Sequence, residues 1–213
     1  AQMEAVTYQT TPSAYNPTTS AAYYGGRLDF DPATLAPKGV LVEGQGTNLL
    51  QYSQAFTTAP WVSFAVSVAS NAATNPSGVN SCFTITDAVG LSLYILYQAL
   101  TPSSATMVYS IYAKAGTLNY LTLSSNNGTA SNFISATFNL TTGSYVSTVG
   151  SSSGTIISVS AVSVGNGWYR LILVGSVPGA QTLNISTANT ANPTLDGYGR
   201  QSYAGATQSA YIW

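Results

Sequence analysis

From Gly39 onward the chain is written as short apolar runs of period two, separated by clusters of Gly, Asn, Ser and Pro. That is the pattern of half-buried β-strands joined by turns. In "LSLYILYQA", Leu91, Leu93, Ile95 and Tyr97 fall on one face of a strand, Tyr94 and Leu96 on the other. "ATMVYSIYAKAG" follows a Pro-Ser-Ser turn and ends at Gly116. "FISATFNL" and "SYVSTVG" flank Thr141-Thr142-Gly143, a short hairpin loop with glycine. "GWYRLILVGSV" is apolar on both faces, as a covered central strand is. "QTLNIST" and "SAYIW" complete the series, and no window carries a helical stripe. About eight to ten strands at this spacing predict an all-β fold, a jelly-roll sandwich.

Residues 1–38 differ in kind. "TTPSAYNPTTSAAYYGG" is polar and rich in Tyr, Thr and Pro, with no sustained period, and reads as an extended arm or linker. Five of the eleven charged residues (Glu4, Arg27, Asp29, Asp31 and Lys38) sit there. Residues 39–213 are then the sandwich domain, long enough to bury a core without a disulfide framework.

Charge changes the picture most. Only 5% of the 213 residues are charged, against about 25% in an average soluble protein. Ser, Thr, Asn, Gly and Ala fill the deficit, so the mean hydropathy is only +0.17. Such a surface holds water by hydrogen bonding and tolerates close neighbours without Coulomb repulsion. The net charge of −1 and the lack of any Lys/Arg run argue against nucleic acid as a partner. No apolar run is long enough to span a membrane, and "AQMEAVTYQT" lacks the basic-then-apolar order of a secretory signal. With no His, the usual general base, the Ser-His-Asp triad and most zinc sites are unavailable. Cys82 is alone in "SCFTITD" and reads as a small core residue.

"LVEGQGTNLLQYSQAFTTAPW", Leu41 to Trp61, places Glu43 inside an apolar run before a Gly-Gln-Gly-Thr turn, after which "NLLQYS" starts the next strand. Glu43 reads first as a carboxylate tied to the turn's backbone N–H groups or to a basic residue. The sharper reading is a ligand to a structural Ca²⁺, which needs several further oxygens. Asp87 and Asp196 are the other carboxylates of the domain, and their spacing predicts no cage.

This stretch and those after it resemble a domain of tail- and head-fibre proteins of tailed bacteriophages. The resemblance runs through "DFDPATLAPKGVLVEGQGTNLL", "NPSGVNS", "YSIYAKAG", "ATFNLTTGSYVS", "NGWYRLILVG" and "YIW", in that order, and covers roughly Asp29 to Trp213. The chain departs from the pattern at Gly46, where the family carries a basic residue, and at Pro76-Ser77-Gly78, where it carries Pro-Asp-Gly. The family is similar in turn to jelly-roll carbohydrate-binding modules.

The resemblance implies a virion protein on the particle exterior, a fibre or spike whose domain contacts host-surface polysaccharide. Residues 1–38 would thread into other virion proteins, and fibres of this kind build as homotrimers. Sugar recognition needs flat aromatic faces beside neutral or planar hydrogen-bonding groups. Trp168, Arg170, Tyr94, Tyr109 and Tyr120 are candidates on a concave sheet face, and Tyr198 and Tyr203 in the loop "TLDGYGRQSYAGAT". Each has a core-packing or ordinary loop reading beside it. Glycoside hydrolysis needs two carboxylates across a bond, and Glu43, Asp87 and Asp196 stand in no context that suggests a raised pKa, so the expectation is a protein that is not an enzyme. Two other readings stand beside the fibre: a purely structural capsid or tail decoration, and an accessory carbohydrate-binding module of a secreted glycan-degrading enzyme.

Overall fold

The structure, a computed structural model, describes residues 27–30, 37–41, 48–70, 72–102, 104–151 and 153–213. The chain divides into two units, Ala1–Thr47 and Asn48–Trp213. In the first, β1 (Arg27–Phe30) pairs antiparallel with β2 (Pro37–Leu41), Arg27 opposite Leu41. The remainder of the expected arm, and Glu43, lie outside the described residues.

In the second unit the strands are β3 (Val62–Phe64), β4 (Val66–Ala69), β5 (Phe83–Asp87), β6 (Gly90–Leu93), β7 (Ile95–Leu100) and β8 (Thr106–Ala115). They continue with β9 (Tyr120–Asn126), β10 (Phe133–Asn139), β11 (Ser144–Gly150), β12 (Thr155–Gly165) and β13 (Trp168–Ser176), then β14 (Gln181–Ala188), β15 (Ser202–Gly205) and β16 (Ser209–Ile212). Two antiparallel six-stranded sheets result. The front sheet has the order β11-β10-β9-β14-β7-β3 and the back sheet β12-β13-β8-β16-β5-β4. They pack as a sandwich around one core that includes Phe56, Leu96, Leu121, Phe138, Leu171 and Ile185. Each such side chain contributes about 1.5–3 kcal/mol by leaving water.

The chain crosses between sheets on both long flanks. β3 ends the front sheet and β4 the back sheet, with Ala65 (φ 53°) between them turning the strand from one layer to the other. On the opposite flank β11 and β12 end the two sheets and follow one another directly. Gly154 lies in that crossing, where a Cβ would stand 2.1 Å from the Phe133 carbonyl oxygen, so no larger residue fits.

There are more strands than the eight to ten expected, because continuous-looking runs are broken. "LSLYILYQA" splits at Tyr94, whose side chain is wholly buried. Its hydroxyl donates to the Gly90 carbonyl and accepts from the Gly205 N–H. β6 is thereby held to β15 in a separate two-stranded sheet, while β7 joins the front sheet. "NLLQYS" is not a strand: Gln51 to Gln54 form turns, with Tyr52 at φ 49°. The Gln98 side chain explains it. Its amide accepts from Gln51 N at 2.9 Å and donates to Gln51 O at 3.0 Å, standing in for a strand neighbour. Phe56 and Trp61 do supply the packing expected of them, edge to face at 5.1 Å, and Cys82 is a buried core residue whose thiol burial pushes up.

Candidate binding pocket on the front sheet

Alternation along each front-sheet strand sends one set of side chains into the core and the other to the outer face. Strand register fixes what meets on that outer face. One row across the sheet reads Val62, Tyr97, Asn184, Ser124, Ser135 and Val149. The next reads Phe64, Ile95, Ser186, Thr122, Thr137 and Ser147. Aromatic and aliphatic side chains therefore stand on the β3–β7 side, beside a field of small hydroxyls and amides on β14, β9 and β10 that are themselves buried, Asn184, Ser186, Ser124, Thr122, Ser135 and Thr137 each being at most 1% exposed. Within that field the Thr122 and Thr137 hydroxyls bond at 2.9 Å, and Asn184 Nδ2 reaches Ser124 Oγ at 3.4 Å.

A pocket of about 300 Å³ opens on this face, at the lower end of the range for small-ligand sites, about 300–1,000 Å³. Phe64, Ile95 and Tyr97 form one wall, Thr182, Asn184 and Asn126 the polar part, and Tyr198 and Arg200 the side contributed by the loop after β14. Phe64 is 53% exposed, a large aromatic presented to solvent at the rim.

That loop is built around Asp196. Its Oδ1 accepts from the backbone N–H groups of Tyr198 (2.9 Å) and Arg200 (3.0 Å), the Asx-turn arrangement. Its Oδ2 accepts from Arg200 Nε at 3.0 Å and Nη2 at 2.7 Å. The guanidinium also lies over the Tyr198 ring, 4.6 Å from the centroid, so the acid, the cation and the aromatic hold one another. Burial pushes the Asp196 carboxyl up, but the Arg200 side chain and the two backbone N–H groups outweigh it and hold the carboxyl below its ordinary range. Two contacts dock the loop: Ser131 N–H, in the turn between β9 and β10, to Gly197 O at 2.6 Å, and Asn126 Nδ2 on β9 to Tyr198 O at 3.4 Å.

Chemically the pocket offers aromatic planes, the half-buried Thr182 hydroxyl, the largely buried amides of Asn126 and Asn184, and one ion pair whose charges already cancel. Flat apolar surface beside hydroxyl-matching polar groups is what a saccharide ring requires. Among the described residues the site presents no free carboxylate and no nucleophile with an adjacent base. Among the described residues no group of three or more His, Cys, Asp or Glu side chains is placed to hold a metal ion, and no helix is long and apolar enough to cross a membrane.

The residues singled out from the sequence separate into three places. Tyr198 lines the pocket. Tyr120 is half-buried on the same outer face, in a row with Ala188 and Asn139. Tyr94, Tyr109, Tyr203 and Trp168 are buried, so no ring face is open to a sugar. Tyr109 bonds Gln181, and Trp168 donates Nε1 to Thr74 O at 3.0 Å beneath the segment before β5. Arg170 shares the strand face of Trp168 but belongs to the back sheet, where it is exposed, donating to Ser110 Oγ at 3.2 Å and lying 5.9 Å from the Tyr112 ring centroid. The two described carboxylates weighed for Ca²⁺ do not meet: Asp87 binds Tyr203 and two backbone N–H groups, and Asp196 binds its own loop.

Phe64, Tyr97 and Asn184 carry no sequence signal of their own. Only the lateral register of β3, β7 and β14 brings them together. No protein-family model matches this chain, and no curated protein matches it.

Proposed function

We propose that this chain is a virion protein of the tailed-phage fibre or spike type, whose jelly-roll sandwich presents the front-sheet pocket to a neutral glycan of the host surface. The observation that carries the binding part is the pocket itself: Phe64, Tyr97 and Tyr198 around Asn126, Thr182 and Asn184, with Arg200 neutralised by Asp196. A sugar carboxylate would have to compete with Asp196 for Arg200; a neutral ring would not. The virion part rests on the block-wise sequence resemblance and on the nearly charge-free, hydroxyl-rich composition. Attachment to other virion proteins is assigned to residues 1–38.

The test is titration of the chain with neutral and with uronic-acid polysaccharides extracted from the host surface. Saturable binding of a neutral polysaccharide is expected, unchanged between about 50 and 500 mM NaCl because no net charge is involved. Binding confined to the acidic polymer, and lost in salt, would contradict the neutral-glycan reading. Binding to neither would leave the purely structural decoration. Deleting residues 1–38 is expected to abolish particle incorporation while leaving a folded domain; decoration by the shortened chain would overturn that assignment.

A further inference from the structure

The two long flanks of the sandwich are unlike. One ends in β3 and β4, three and four residues long; the other ends in β11 and β12, seven and eleven residues long. A sheet edge presents unpaired N–H and C=O groups, which soluble proteins blunt with short strands, lysines, prolines or bulges. β12, "TIISVSAVSVG", has neither a charge nor a proline. In fact no Asp, Glu, Lys or Arg occurs between Lys114 and Arg170. Register shifts at Ile156/Ser158 and Ser163/Gly165 bound a regular stretch from Ser158 to Ser163. The same flank bares apolar side chains: Tyr145 and Val149 on β11, and Ile157, Val162 and Val164 on β12, are each between 39% and 58% exposed.

We propose that β12 is a self-association edge, at which a second copy of this chain adds its own β12 antiparallel so that two back sheets join as one. The absence of charge disfavours a charged occupant, and the two-fold self-complementarity of the edge favours a second copy. An acidic or basic partner gains nothing from an edge without charges, whereas two copies meet there with no like charges opposed. Geometry agrees. Antiparallel edges related by a two-fold axis are self-complementary in donors and acceptors. Pairing positions of equal parity keeps the core-facing Val159 and Ala161 of both copies on one side of the joined sheet. Ser160 and Ala161, at the centre of the regular stretch, are small enough to let the strands approach.

Sedimentation equilibrium of the full chain, from about 1 to 100 μM, tests this. The expected limiting mass is twice the 22.0 kDa of the chain, a two-fold assembly in place of the homotrimer that the fibre resemblance implies. The double variant Ser160→Lys, Val162→Lys places charges at exposed edge positions, and is expected to weaken association at least about tenfold with an unchanged melting curve. Ser67→Lys on the short β4 edge is the control and leaves association as it was. Hydrogen exchange of the unaltered chain gives a readout independent of any variant's folding: β12 amides gain protection as concentration rises. A monomer throughout, an oligomer of any size indifferent to the β12 lysines, or β12 exchange independent of concentration would each overturn the proposal.

Discussion

Tyr203 and Asp87 meet at 2.8 Å across 116 positions of sequence, the phenol hydroxyl donating to the carboxylate Oδ2. The other oxygen of Asp87 accepts from Ala206 N at 3.2 Å and Gln208 N at 2.6 Å. One buried acid thus ties the segment between β15 and β16 to the end of β5, and the scarcity of charge makes its partners the more telling. Tyr203→Phe leaves one carboxylate oxygen short of a donor inside the protein. A loss of about 1–3 kcal/mol is expected, read from urea unfolding at neutral pH.

The same pair predicts alkaline sensitivity. Burial first, and then the hydrogen bond and charge of Asp87, raise the Tyr203 phenol far above its ordinary value. A group whose folded pKa is raised contributes stability in full below the unfolded pKa, about 10, and loses it as pH rises toward the folded value. Above about pH 10 the unaltered chain should therefore lose stability more steeply than Tyr203→Phe. Equal slopes would contradict the assignment.

At the pocket, Tyr97→Ala and Tyr198→Ala are each expected to weaken glycan binding about tenfold or more, as truncation of a central aromatic anchor does, with little change in melting. Trp168→Ala is the contrasting case. Its ring is 1% exposed, so its loss is expected to lower stability by about 3–5 kcal/mol. Calorimetric titration beside thermal melting separates the two outcomes.

Asp196 sets the lower pH limit of the site. Its folded pKa is depressed, so its contribution is present above the ordinary carboxylate range and is lost as pH falls through the folded value. Binding should hold as pH falls through the ordinary carboxylate range, about 4, and decline only below it. Asp196→Asn removes the acid that cancels Arg200, and should make binding salt-sensitive and shift preference toward acidic saccharides.

Gly199 is a backbone requirement of the same loop. It sits at φ +75°, and a Cβ there would lie 2.5 Å from the Phe133 ring. Gly199→Ala should displace the loop from β10 and reduce binding even though no pocket side chain has changed. Melting should fall by the equivalent of about 1–2 kcal/mol or more.

Much of the sandwich was legible because period-two alternation survives where a strand is regular. β8, the β10–β11 hairpin, β13, β14 and β16 follow the runs read from the sequence. β12 did not stand out, since its two register shifts interrupt the alternation. "NLLQYS" misled for a tertiary reason: its backbone partner is the Gln98 side chain rather than a strand. At the site, Tyr198 was legible as an aromatic among scarce charges in a glycine loop. Trp168 and Arg170 do share a strand face, but the segment around Thr74 covers one and leaves the other exposed. Tyr97 and Phe64 depend on which strands lie side by side, and alternation within a strand carries nothing about its neighbours.

The two crossings, through Ala65 on one flank and through Gly154 on the other, bind the layers like covers sewn along both long margins. Such a sandwich cannot swing open as a book does. Its sheets can separate only by tearing strands from within, so heat or denaturant should take the layers apart together, in a single cooperative transition rather than leaf by leaf.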